Sequence, residues 1–170
     1  MTLHFFSAAF RPEDESRRQG AVDSLRPIAP SDPVLQELLV EVCRVLRTPI
    51  AMVTLTDGDV QRMISAVGIE PVILPRSIAF CSHTVAAPDG LLSVPDLHAD
   101  PRFRANPLVA GGPCVRYYTG AVVRSGPFPI GAVCGLDRRP HGPASFRQRA
   151  QLRQLADAVA ERIGAAPRTC

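Results

Sequence analysis

The sequence predicts an α+β fold, a central antiparallel β-sheet flanked by N- and C-terminal helices, and three observations carry that expectation. Amphipathic helical patterns stand at both ends, near residues 34–46 and 145–163. Between them, β-branched stretches meet at turn sequences, Asp57-Gly58-Asp59 and Gly126-Pro127, that suit the reversal of a strand. The order that results is helix, hairpin, short helix, strand, long loop, hairpin, helix, and it gives an antiparallel sheet with helices packed on it.

Taken in order, the polar stretch 13–25 carries a thin stripe of Ala21, Val22 and Leu25 and reads as a short helix ended by Pro27. Asp32 suits an N-cap with Pro33 at the first helical position, and Val34, Leu35, Leu38, Leu39, Val42 and Leu46 then share one helical face. Pro49 stops that helix. Residues 50–56 and 60–67 follow as a hairpin, and the proline-punctuated stretch 71–75 leads into a short helix at 77–86 with Ile78, Cys81 and Val85 on one face. Asp89-Gly90 turns the chain into a strand at 91–94. Residues 95–113 hold too many Pro, Gly, Asp and Asn to be regular throughout, and loops of that length are functional or mobile. Strands at 115–123 and 130–136 close the sheet. In the last helix Ser145 and Gln148 form a capping box, Leu152, Leu155, Ala156, Val159 and Ile163 form the stripe, and Gly164 marks the stop.

At 170 residues, with 46% apolar and 21% charged side chains, the chain fits one folded domain, expected at 13–164 with tails at 1–12 and 165–170. The formal net charge is +3, and all the basic residues are arginine. Arg138, Arg139, Arg147, Arg149 and Arg153 cluster near the C-terminus, but no groove-reading motif or aromatic interleaving accompanies them, so nucleic acid is not an expected partner. The five cysteines, Cys43, Cys81, Cys114, Cys134 and Cys170, are odd in number and contain no C-x-x-C pair, which speaks against a disulfide framework or a four-cysteine zinc site and for a reducing, cytoplasmic compartment. No apolar run approaches the ~18 residues of a membrane span, and residues 1–10 lack the positive start of a signal peptide.

Several stretches carry a family resemblance: Pro75-Arg76 followed by Phe80-Cys81-Ser82-His83-Thr84, then Val94-Pro95-Asp96 and Asp100-Pro101-Arg102-Phe103. They continue through Asn106-Pro107-Leu108-Val109 and Val115-Arg116-Tyr117-Tyr118-Thr119-Gly120 to Ile130-Gly131-Ala132-Val133-Cys134-Gly135-Leu136-Asp137 and Pro140. In order and spacing this set resembles a GAF domain, of the bacterial subfamily found alone and ahead of histidine kinases or diguanylate cyclases. The resemblance implies a sensory module, which at this size would leave catalytic output to a partner acting in trans, and it leaves the ligand and any cofactor open, because GAF domains bind cyclic nucleotides, haem, bilins, small metabolites or nothing known. After the first hairpin turn, where the subfamily has a charged and aromatic stretch, this chain has Val60-Gln61-Arg62-Met63-Ile64.

Cys81 falls near the start of a helix, where the dipole favours a thiolate, and His83 stands two positions on. That pair suggests a redox-sensing or ligand-attaching thiol, set against a small buried hydrophobe on the Ile78 and Val85 face. Residues two apart on a helix point opposite ways, so Cys81 and His83 do not share a metal ion easily, even with Asp96, His98 or Asp100 as partners. The adjacent Cys-His pair of many bilin-binding relatives is absent, and so is the cysteine cluster of free methionine sulfoxide reductases, the enzymatic rival of this fold. Asp100-Pro101 suits the start of a helical turn. Arg102, Asn106 and Arg116 can bring donors to a pocket mouth, and Tyr117 and Tyr118 alternate so that one faces inward. Cys81, His83, Asp96, Arg102, Asn106, Arg116, Tyr117 and Tyr118 are therefore the candidate binding residues. The pocket is expected between the sheet and loop 95–113, with an unidentified small molecule as ligand, the terminal helices as a homodimer surface and a signalling protein as a further partner.

Overall fold

The computed structural model describes residues 6–164; residues 1–5 and 165–170, with Cys170 and the expected C-terminal tail, lie outside the described residues. The chain opens with α1 (Glu15–Asp23) and α2 (Pro33–Leu46), followed by the hairpin β1 (Ile50–Asp57) and β2 (Val60–Val67) and a short edge strand β3 (Ile73–Pro75). A 3₁₀ turn (Arg76–Ile78) runs into α3 (Phe80–Ala86), and β4 (Leu91–Val94), the brief α4 (Pro107–Ala110), β5 (Tyr117–Ser125), β6 (Phe128–Asp137) and α5 (Phe146–Gly164) complete it. The six strands lie in the order β3-β2-β1-β6-β5-β4, and every pairing is antiparallel.

Local chemistry sets the main boundaries. The Asp32 carboxylate accepts the Leu35 N–H at 3.1 Å and caps α2 with Pro33 in its first turn, as the sequence predicts. Helix α2 ends at Arg47 in the left-handed region, before Pro49 is reached. Ser145 and Gln148 exchange hydrogen bonds of 2.9 and 3.1 Å across the first turn of α5, the expected capping box. The short helical turn expected at Asp100-Pro101 forms, with Asp100 Oδ1 accepting the Arg102 N–H at 2.9 Å and Asp100 O accepting the Arg104 N–H at 2.9 Å, and a second cap follows at Asn106, whose side chain accepts the Leu108 N–H. One expectation shifts. Strand β5 begins at Tyr117 rather than residue 115, because Arg116 N–H still closes a loop on Asp137 O.

The sheet divides the interior in two. On one face Leu35, Leu39 and Val42 of α2 meet Leu152, Ala156 and Val159 of α5 over Ala51, Val53 and Val133, all almost fully buried. Each such aliphatic side chain contributes about 1.5–3 kcal/mol on burial, so this layer holds the helices to the sheet. On the other face Met52, Cys134 and Tyr118 meet Phe80 and Cys81 of α3 and Phe103 of the long loop.

Helix α1 is fixed by charge. Arg18 is fully buried; it donates to Thr56 O at 2.8 Å and to both carboxylate oxygens of Glu15. Glu15 also pairs with Arg76, itself 6% exposed, so one carboxylate serves two buried guanidiniums and joins α1 to the chain entering α3. Burial alone would raise the Glu15 pKa, but the Arg18 and Arg76 hydrogen bonds outweigh it and hold it at about 2 against an ordinary 4.5. Because the folded-state value is depressed, this stabilisation is complete above pH ~4.5 and is lost as pH falls toward ~2. Glu15→Gln leaves two buried cations without a counter-charge, and chemical denaturation at neutral pH should show a loss of about 2–4 kcal/mol. The variant's stability should also fall less steeply than the parent's between pH 4.5 and 2; parallel acid limbs would refute the assignment.

Candidate functional site

On the face away from the long helices the sheet is not packed solid. A cavity of about 190 Å³ lies there, floored by alternate residues of the sheet, Met52 and Thr54 of β1, Gln61 and Met63 of β2, Tyr118 of β5 and Cys134 of β6. Helix α3 closes one side with Phe80 and Cys81, and β3 and α4 supply Leu74 and Leu108. Ile69 and Val72, 38% and 42% exposed, stand with Arg138 at the mouth. The covering flap therefore comes from two places, the 69–74 strap as well as the expected loop 95–113.

Tyr118 is the polar centre of this face. Its ring lies over Gly120, where an added Cβ would come within 2.3 Å of the phenol oxygen. The hydroxyl is 2.6 Å from Thr84 Oγ1 and donates toward Cys81 Sγ at 3.4 Å. Cys81 Sγ in turn lies 3.6 Å from Cys134 Sγ, joining α3 to the central strand β6. The Cys134 hydrogen bond lowers the Cys81 pKa against the opposing effect of burial, with Thr54 and Tyr118 adding to it. Burial, and then the thiolate character of Cys81, push the Cys134 and Tyr118 values up, so Cys81 is the more acidic sulfur of the pair.

The other candidates lie away from this centre. His83 leaves α3 on the opposite side, as the two-residue spacing predicts, and sets its ring edge-on to Phe103 at 4.8 Å; burial and the nearby Arg102 charge lower its pKa. Arg102 pairs with Asp100 and covers the Phe103 ring at 4.9 Å. Asp96 and Arg116 pair with each other through two 2.7 Å contacts. Asn106 is buried as a cap and donates to Ile78 O, bracing the start of α3. Tyr117 faces α5 and stacks on His141 at 4.2 Å, leaving Tyr118 as the inward member of the pair. Among the described residues no group of three or more His, Cys, Asp or Glu could hold a metal ion, and no helix is long and apolar enough to cross a membrane.

The GAF family model, described as a GAF domain, matches residues 31–166. The chain belongs to the GAF domain family. A cyclic di-GMP phosphodiesterase of Pseudomonas aeruginosa is 36% identical over 154 residues, an alignment that takes in 89% of this chain. The chain spans about a quarter, 26%, of that relative's length. Among solved structures, a domain of a putative two-component sensor histidine kinase from Sinorhizobium meliloti superposes with a TM-score of 0.60 at 15% identity, over 79% of this chain and 91% of the other. The type II free methionine-R-sulfoxide reductase of Thermoplasma acidophilum does so with a TM-score of 0.60 at 16% identity, over 84% and 100%. At such identities these likenesses show the fold alone, which a kinase sensor and a reductase share.

Sequence reasoning found Cys81 and Tyr118 but not Cys134 as a partner, nor Gln61 and Met63 as cavity walls. Strand alternation could have put Gln61 and Met63 on one face; which face stays open depends on the covering segments. Thiol labelling checks the geometry. Fluorescein maleimide should modify the exposed Cys114 first, with Cys81 and Cys134 roughly a hundredfold slower in the folded protein. Equal labelling of Cys81 and Cys114, mapped by peptide mass, would show that the sulfur pair is not enclosed.

Proposed function

We propose that this GAF domain is a sensory module that takes a small molecule into the cavity between the sheet and α3 and passes its occupancy to a signalling partner. The observation that carries the reading is the apolar cavity itself, walled by residues from five strands and α3. The terminal helices lie on the opposite face of the same sheet. Val40 of α2 and Phe146 at the start of α5, 58% and 89% exposed, support a homodimer through these helices. The match to part of a cyclic di-GMP phosphodiesterase supports a role in controlling such an output.

The 3.6 Å separation of Cys81 and Cys134 favours a second reading, a peroxide-responsive thiol switch at the same site. In that chemistry the Cys81 thiolate attacks one oxygen of hydrogen peroxide; the O–O bond breaks, leaving a sulfenic acid and hydroxide, which is protonated to water. Cys134 then attacks the Cys81 sulfur, its proton leaves with the departing hydroxyl as a second water, and a disulfide remains. Peroxide is reduced and the two thiols are oxidised.

Native mass spectrometry of the protein purified from cells tests the first reading. It should show dimers carrying a bound small molecule, and Met63→Trp, which fills the cavity from β2, should fold but carry none. A variant that retains the same added mass would place the ligand elsewhere. Stoichiometric peroxide tests the second: the intact protein should lose two hydrogens with peptide mapping to a Cys81 to Cys134 link, and Cys134→Ser should stop at the sulfenic acid. A parent protein oxidised only at Cys114 would remove that reading.

A further inference from the structure

Gln61, in the wall of the cavity, carries an unused hydrogen-bond donor. It sits in β2 opposite Thr56 of β1 and Leu74 of β3, is 2% exposed, and lines the cavity. Its amide oxygen receives Thr56 Oγ1–H at 3.1 Å and lies 3.2 Å from Ser82 Oγ, whose proton can also go to Arg76 O at 3.1 Å. The amide nitrogen is buried and has no partner among the described residues. Turning the amide round would not resolve this, because the Thr56 hydroxyl proton would then lose its acceptor and the amide oxygen would be the stranded atom. A buried unsatisfied amide N–H is costly, and natural interiors carry few of them.

The rest of the site narrows what could satisfy it. No ion pair is described among the side chains that floor the cavity, and its rim charges are outside: Arg138 is exposed and Asp137 is bound to His141 at 2.7 Å. An anion drawn into the floor would be stripped of water with no cation to meet it there. The size is close to that of an engineered aliphatic cavity of about 150 Å³ that holds benzene, so the room is for a single small ring or its equivalent.

From these observations we infer that the cavity selects a compact, uncharged, largely apolar molecule bearing one hydrogen-bond acceptor, such as a carbonyl oxygen, and that the Gln61 amide, turning toward the ligand from its buried position, is the donor that reads it. This rests on the sensory reading above, and goes beyond it by naming the ligand class and the residue that discriminates. Gln61 acts here as a specificity group; the apolar walls supply the remainder of the binding.

Three one-ring probes separate the possibilities: acetophenone, with a carbonyl; ethylbenzene, of nearly the same shape without one; and benzoate, with a charge. Affinities for the parent and for Gln61→Met, which keeps length and removes the amide, are read by calorimetry and by the side-chain amide signal of Gln61 in nuclear magnetic resonance. The ratio of acetophenone to ethylbenzene affinity should be about tenfold higher in the parent than in Gln61→Met, the worth of one buried hydrogen bond. Ethylbenzene should bind both proteins alike, benzoate should bind neither, and acetophenone should shift the Gln61 amide signal. An unchanged ratio with both neutral probes bound overturns the role of Gln61 while sparing the cavity as a binding site. Preferential binding of benzoate overturns the uncharged class, and failure of all three probes to bind the folded parent overturns both the ligand class and the small-molecule reading of the cavity.

Discussion

Both long helices of this chain pack on the same face of the sheet, and most of what distinguishes the molecule follows from that constraint. Helices α2 and α5 bring continuous stripes of Leu, Val and Ala that interlock over β1 and β6, so that face is dry and full. The opposite face must be covered by a seven-residue helix, a four-residue helix and irregular chain. Short elements cannot present a continuous stripe, and loops must keep their own polar backbone groups satisfied as they cross the apolar surface. The cavity is the space they leave.

Charged groups then tie the elements of this structure to one another. Asp32, besides capping α2, binds the Arg162 guanidinium, with Nε at 3.0 Å, and so ties the start of one long helix to the end of the other. Glu15, through Arg18 and Arg76, ties α1 to β1 and to the approach to α3. Asp96 and Arg116 close the long loop on the entry to β5. The first two pairings are largely buried, so that loss of one member strands a charge. The third is partly exposed and contributes correspondingly little.

How legible this was in the sequence depended on the range of each interaction. The Asp32 cap, the Ser145 and Gln148 box, the Asp57-Gly58 turn and the α5 stripe involve neighbours in the chain, and sequence reasoning placed them well. The turn at Asp100-Pro101 was legible in the same way, whereas the second cap, at Asn106, also bonds to Ile78 O, 28 positions away, a contact that local chemistry does not reveal. The site was legible only in part for the same reason. Cys81 and Tyr118 stand in motif-like stretches, but Cys134 lies 53 positions from Cys81 and resembled any small core residue. Several polar candidates looked free in sequence and prove to be engaged with one another, as Asp96 is with Arg116.

A sensor needs its two packing arrangements to differ in affinity for the ligand, since a molecule that binds both equally shifts nothing. The cavity and the helix layer share the same strands: Met52 and Cys134 face the cavity while Ala51, Val53 and Val133, one residue away, face α2 and α5. A ligand that moves β1 or β6 by a fraction of an ångström therefore acts directly on the helix layer, because close-packed side chains there have no slack to absorb the movement. The second connection bypasses the sheet, running from α3 through the 3₁₀ turn to Arg76, Glu15 and α1. The buried state of both guanidiniums leaves this connection little screened by salt.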